Sequence, residues 1–201
     1  MLQDKFKNYN IILASQSPRR RELLAGLDID FKIETRPIDE IYDSSLRGTQ
    51  ITDFLAQLKA QAFHDLESKD ILITSDTIVW LNGNALGKPK SKEQAHQMLS
   101  KLSGKQHEVH TSVVFTTLKE QLTINDTTKV FFNELSKEEI DYYVDRYSPL
   151  DRAGSYGIQD WLGFSKIDKI EGCYYNVMGL PLPKVYDFLK SMNLEVLDSK
   201  T

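Results

Sequence analysis

The segment Ile71 to Leu81 (ILITSDTIVWL) constrains the fold more than any other part of the chain. It is apolar and rich in β-branched residues, which favours a buried strand. Asn82-Gly83 follows it, the strongest short-range hairpin signal. In its middle stands a carboxylate, Asp76. Burying a carboxylate in an apolar strand is costly without a cation, a metal or hydrogen bonds to receive it. Alternation along a strand sends Asp76 and Thr77 to opposite faces. Counting back through a two-residue turn sets Lys88 opposite Thr77, so a bulge at Gly87 is what would bring Lys88 to the Asp76 side. The plain alternative is a structural Asp at a strand end, bonded to backbone.

Around this strand, strand-like and helix-like segments alternate. Asn10 to Ala14 reads as a short buried strand. Ser17 then suits an N-cap and Pro18 a first helical position, with Gly26 as the stop. Phe31 to Glu34 reads as a strand, and Arg36 to Gly48 is polar and irregular, a loop. Ile51, Leu55, Leu58, Ala62 and Leu66 recur at helical spacing. Ser91 opens a helix to Leu102. Glu108 to Leu118 and Leu122 to Phe132 read as two long strands joined by a short turn. Ser136 with Glu139 three residues on is a capping-box pattern. Beyond Pro149 the chain turns to Gly, Tyr and Asp, a loop-and-strand stretch, before a last helix from Pro181 or Pro183 to about Met192. The expectation is an α/β fold with a mixed β-sheet and flanking helices. Residues 1–201 form a single domain in this reading; two lobes around a cleft are compatible with it, and no linker marks a boundary.

Composition narrows the function. With a net charge of −4, the chain has no global basic field to draw it to nucleic acid or membrane. Its single cysteine, Cys173, excludes an internal disulfide and reads as a core residue in a reducing compartment. No apolar run approaches a membrane span, and Met1 to Tyr9 is too polar for a secretory signal, so cytoplasm is the default. His107 and His110 lie three apart on a strand and face opposite sides; His64 and His96 fall on helices. No Cys/His cluster has zinc spacing.

Two further segments can carry chemistry. Ser15-Gln16-Ser17-Pro18-Arg19-Arg20-Arg21 stands where a strand ends and a helix begins, and a helix N-terminus attracts anions. Arginines in the first turn oppose the helix dipole, at a cost of about a few tenths of a kcal/mol each. An anionic ligand removes that conflict, because guanidinium forks match phosphate geometry; the alternative is a solvated Arg run behind an ordinary cap. Neither G-x-x-x-x-G-K nor G-x-G-x-x-G is present. Asp151 to Gln159 (DRAGSYGIQ) has small residues that allow close backbone approach, and Gln159 carries both a donor and acceptors, which suits reading a base edge; alone it is also compatible with a plain tight loop. Glu40 and Lys59 carry no signal in isolation, and Lys59 on its amphipathic helix reads as solvated.

Together the segments resemble the Maf family of nucleotide pyrophosphatases. The matching stretches are Leu13 to Leu24 (LASQSPRRRELL), Lys59-Ala60, Ser75 to Val79 (SDTIV), Leu86 to Pro89 (LGKP), Leu102 to His107 (LSGKQH), Asp151 to Gln159, and Gly179-Leu180-Pro181. They occur in the family's order from Ile11 to about Leu189. Ser112, Ser155 and Asp160-Trp161 depart from its pattern: Gly is common at the first, Ala at the second, and a small Gly-containing pair at the third.

The resemblance implies a fold related in shape to inosine triphosphatases. It implies hydrolysis of dTTP or UTP, and of modified pyrimidine nucleotides, to the monophosphate and pyrophosphate, a house-cleaning role in the nucleotide pool. It implies Asp76 as proton acceptor or metal ligand, and Arg19, Thr77 and Gln159 as residues of substrate choice. Phosphate binding then falls to Ser15, Ser17, Arg19, Arg20, Lys59 and Lys88, which must meet about four negative charges. A divalent cation, Mg²⁺ or Mn²⁺, is implied, with Asp76 and Glu40 as its ligands. Homodimers are common in the family. Two rivals remain. One is a nucleotide-binding regulator with little turnover, since Maf proteins are tied to inhibition of septum formation. The other is an RNA-binding module built on Arg19 to Arg21, against which the acidic balance argues.

Overall fold

The computed structural model describes residues 1–194. In chain order the elements are helix α1 (Leu2–Phe6), strand β1 (Asn10–Leu13), α2 (Pro18–Ala25), β2 (Lys32–Ile33), α3 (Thr49–Gln61), β3 (Asp70–Leu81), β4 (Asn84–Leu86), α4 (Lys92–Leu102), β5 (Gln106–Thr116), β6 (Gln121–Phe132), α5 (Lys137–Tyr147), a 3₁₀ turn (Ala153–Ser155), α6 (Trp161–Lys166), β7 (Ile167–Glu171), α7 (Tyr174–Met178) and α8 (Leu182–Ser191). The local chemistry explains most of these bounds. Ser17, Ser91 and Ser136 each cap a helix by accepting a backbone N–H three residues on, and Glu139 closes the capping box. At the β3–β4 turn Asn82 and Gly83 both take positive φ, 49° and 80°, as a type I′ hairpin requires.

The strands form one seven-stranded mixed sheet, ordered β2-β1-β3-β5-β6-β7 with β4 paired to β3 off this path. β1 runs parallel to β2 and β3, while the β3–β4, β3–β5, β5–β6 and β6–β7 pairs are antiparallel. The decisive feature lies along one edge of β3. β1 pairs with its first part, ending at Leu13 opposite Ile73, and β4 pairs with its last part, starting at Val79 opposite Leu86. Between them Thr74 to Ile78 have a strand neighbour, β5, on the other side only, among the described residues. The backbone edge flanking Asp76 is therefore open at the point where a parallel neighbour gives way to an antiparallel one.

Alternation along β3 sorts its side chains between two layers. Ile71 and Ile73 pack with Leu24 of α2 and with Val185 and Leu189 of α8. On the other face Leu72 packs with Ala56 and Ala60 of α3, and Ile78 with Ile51 and Leu55. Val79 belongs to the far end, with Leu99 of α4, Tyr143 and Val144 of α5, and Leu162 of α6. Ile71, Leu72 and Ile73 are completely buried, worth about 1.5–3 kcal/mol each. That anchor holds the polar stretch Ser75 to Thr77 in place beside the open edge.

Met1 to Tyr9 carries α1, whose Leu2 and Phe6 join the core cluster that includes Val185 and Leu189 of α8. Three expectations need correction. α3 stops at Gln61 rather than Leu66, so His64 falls beyond the helix. The stretch after Gln159 contains α6 and α7 as well as a strand; at six and five residues they are too short to display a period. Cys173 is a half-buried free thiol before α7, not a core residue.

Candidate active site

The open edge of β3 forms the floor of a cleft of about 450 Å³, within the ordinary range for small-ligand sites. Ser15, Ser17, Arg19, Arg20, Glu40, Lys59, Asp76, Thr77, Lys88 and Gln159 all line it. These ten candidate residues thus meet in one hollow, while Arg21 of the same run is exposed and outside it. The mechanism of convergence is the open edge: Asp76 and Thr77 point to opposite faces of β3, and the cleft reaches both because no strand closes that side.

On the α3 face, the Lys59 ammonium donates to Asp76 Oδ1 at 2.5 Å and to the Ser75 carbonyl at 3.4 Å, and pairs with Glu40 Oε1 at 3.0 Å. Asp76 is 7% exposed, so the partner its burial demanded is this lysine. Local pattern reads Lys59 as solvated; the structure turns it inward. Desolvation pushes the Glu40 carboxyl up, but the charge and hydrogen bond of Lys59, with Lys88 and Arg20, outweigh it and hold the group below its ordinary value.

On the opposite face, α2 enters with Ser17 accepting from the Arg20 N–H at 3.4 Å, and the Ser15 hydroxyl accepting from the Ser17 N–H at 3.2 Å. The Arg20 guanidinium donates to the Gly179 carbonyl (2.8 Å), the Ser75 carbonyl (3.0 Å) and Thr77 Oγ1 (2.9 Å). Of its five N–H groups two therefore brace the open edge itself and a third ties it to the end of α7. Desolvation weakens its hold on the proton, and the Asp76 charge opposes that loss. The Thr77 hydroxyl also bonds Thr111 Oγ1 at 3.0 Å. Arg19 crosses the cleft mouth to Asp151, 2.8 Å from its Oδ2.

The far wall is the loop from Asp151 to Gln159. The Gly154 N–H donates to the Gly87 carbonyl at 3.0 Å, tying this wall to the segment that carries Lys88. β4 ends at Leu86, so Lys88 reaches the cleft beyond the ladder rather than from a position opposite Thr77. Tyr156 is buried and bonds His107 Nε2 at 2.7 Å. Burial pushes the Tyr156 hydroxyl up and brings His107 down to about 3, so this pair is neutral. Gln159 Oε1 is buried and has no hydrogen-bond partner among the described residues. Asp151 and Arg152 lie in a segment the sequence marks for its small residues and Gln159, without a role of their own, and the Gly179 carbonyl is not marked as a contributor; the parts they play depend on contacts between distant segments.

Glu40 and Asp76 both reach a single cation centre, now the Lys59 ammonium. Their hard oxygen atoms suit Mg²⁺ or Mn²⁺, which takes one or two carboxylates and completes its shell with phosphate oxygens and water. No group of three or more His, Cys, Asp or Glu among the described residues is placed to hold a metal. Two carboxylates alone leave most of such a cation's shell to other oxygen ligands.

The family model described as "Maf-like protein" matches residues 10–192. A curated protein of Flavobacterium johnsoniae named dTTP/UTP pyrophosphatase is 51% identical, covering 96% of this chain and all of that one (100%). Proteins of the same name from Christiangramia forsetii and Bacteroides thetaiotaomicron are 52% and 47% identical, over 96% and 92% of this chain and 98% and 96% of theirs. Among solved structures, the Ham1 protein of Staphylococcus aureus (15% identity, 61% of this chain, 71% of that chain, TM-score 0.42) and a HAM1 protein from Coxiella burnetii (18%, 62%, 73%, 0.43) overlap in part. The α/β assignment stands on the sheet described above. On the extent of the family match and the identity to full-length relatives, the chain belongs to the Maf family.

Proposed function

We propose that the chain is a nucleoside triphosphate pyrophosphatase that hydrolyses dTTP and UTP to the monophosphate and pyrophosphate. One observation carries the reading: two carboxylates, Asp76 and Glu40, meet on Lys59 inside a cleft whose other walls present Arg19, Lys88 and Gln159. The names borne by the curated relatives support it. In an acidic chain, this local group of cations is what offsets the triphosphate charge.

In this reading water attacks the α-phosphorus. A new P–O bond forms, the bond from the α-phosphorus to the bridging oxygen breaks, and pyrophosphate leaves with that oxygen. The water's proton passes to Asp76, whose Oδ1 accepts a hydrogen bond from Lys59. Arg19 and Lys88 bind the phosphates, with the N-terminal turn of α2 completing the cradle. Glu40 and Asp76 would hold a divalent cation; when bound, it neutralises charge on the polyphosphate and orients it. Gln159 selects the base. Uracil and thymine present an imide N–H between two carbonyls, and the vacant Oε1 acceptor of Gln159 suits that N–H.

The test is pyrophosphate release from each common nucleoside triphosphate with Mg²⁺ or Mn²⁺. The reading expects dTTP and UTP to be the best substrates. Tight nucleotide binding with negligible pyrophosphate release would favour the regulator of septum formation instead.

A further inference from the structure

Gln159 is the residue that meets the base in the function proposed above, and this inference rests on that reading. We propose that Tyr143 and Asp160, neither of which lines the cleft, are positioning residues for base selection, because with Arg152 they clamp the loop on both sides of Gln159. Tyr143 stands on α5 and is completely buried, 0% exposed. Its hydroxyl donates to Asp160 Oδ2 at 2.9 Å. It accepts from Arg152 Nη1 at 3.0 Å and from the Gly157 N–H at 3.1 Å. A hydroxyl has one donor and two acceptor sites, so all of them are used. Arg152 and Asp160 also pair directly, with side chains 16% and 11% exposed.

The clamp brackets Gln159 closely. Gly157 lies two residues before it and Asp160 immediately after it. A Cβ at Gly157 would stand 2.6 Å from Arg152 Nη1 and 2.9 Å from Asp160 Oδ2, so the ion pair fits against that bare backbone. The backbone carrying Gln159 is therefore held from one fully bonded hydroxyl; the Arg152 Nε, 3.5 Å from Asp151 Oδ1, is the one buried side-chain atom of the clamp without a hydrogen bond among the described residues. A glutamine that must place Oε1 and Nε2 against a base edge loses discrimination when its backbone drifts.

The experiment is a double-mutant cycle read on selectivity. The kcat and KM of wild type, Tyr143→Phe, Gln159→Ala and the double variant are measured on dTTP and on dGTP, with melting temperatures alongside. Tyr143→Phe is expected to lower the dTTP-to-dGTP ratio of kcat/KM by about tenfold, the equivalent of one lost hydrogen bond, mainly through KM for dTTP. In the Gln159→Ala background the same change should leave the ratio unmoved, because its effect passes through Gln159. A purely structural Tyr143 would lower the melting temperature while the ratio stayed constant, or would act additively with Gln159→Ala; either result overturns the proposal. Asp160→Asn supplies the same cycle should Tyr143→Phe fail to fold. Calorimetric binding of non-hydrolysable dTTP and dGTP analogues to the same variants reads the clamp without turnover, so absent hydrolysis would sink the enzymatic reading and leave the clamp to be judged by its own ratio.

Discussion

Replacing Lys59 by Met removes the ammonium that Asp76 and Glu40 share and keeps most of the apolar stem. At 2.5 Å the Lys59–Asp76 attraction is about 7 kcal/mol gross for an effective dielectric constant of about 20. Breaking a buried pair leaves a net cost of about 3–5 kcal/mol. Both side chains keep a little solvent, 18% and 11% exposed, which favours the lower end, about 3 kcal/mol. Glu40, 46% exposed, is screened and adds little. For a chain of this length that corresponds to a fall in melting temperature of about 6–12 °C near neutral pH.

Glu40 supplies a small pH-dependent part of that cost. Lys59 is the main cause that lowers its pKa against desolvation. A carboxyl depressed in the folded state contributes stability above its unfolded pKa of about 4.3, and that contribution disappears as pH falls through the folded value. Thermal scans of wild type and Lys59→Met from pH 7 to pH 3 should show the gap widest at neutral pH and narrowing slightly on acidification, by the Glu40 part alone. A variant as stable as wild type at pH 7, or a gap that widens in acid, would refute the reasoning.

Burial depresses His107 to about 3, so folding excludes a proton that the unfolded chain binds below about pH 6.5. The neutral form's contribution is complete above that pH and is lost as pH falls toward 3; His107→Gln should show a flatter stability profile across this window by chemical denaturation. Gly157→Ala places a methyl 2.6 Å from Arg152 Nη1 and should cost about 1–3 kcal/mol by overpacking, measured by urea unfolding. Gln159→Ala should change the ratio of pyrimidine to purine turnover more than the rate on the best substrate, which a profile across the triphosphates would reveal.

Features set by neighbours in the sequence were legible in advance. Ser17 before Pro18, Ser136 with Glu139, and Asn82-Gly83 carry their geometry in the residues themselves. The alternation that separates Asp76 from Thr77 also holds. Features set by topology were not. The break between β1 and β4 along β3 depends on which strands become neighbours, and without that break Asp76 and Thr77 could not share a cleft. Lys59 lies on an amphipathic helix whose surroundings show a solvated position until α3 is packed on β3. Arg20 reads as a phosphate ligand from its helix turn, yet most of its bonds go to Ser75, Thr77 and Gly179, partners that only the assembled sheet brings near. Tyr143 was invisible because its hydroxyl partners lie on a loop with no periodic signal.

The account stands on Asp76 as the group on which turnover depends. Asp76→Asn keeps the size of the side chain and an acceptor for Lys59 but removes the charge. Pyrophosphate release from dTTP and UTP, measured beside circular dichroism, should fall by about 10²–10⁴-fold with the fold intact; release near the wild-type rate by a folded Asn variant would contradict it.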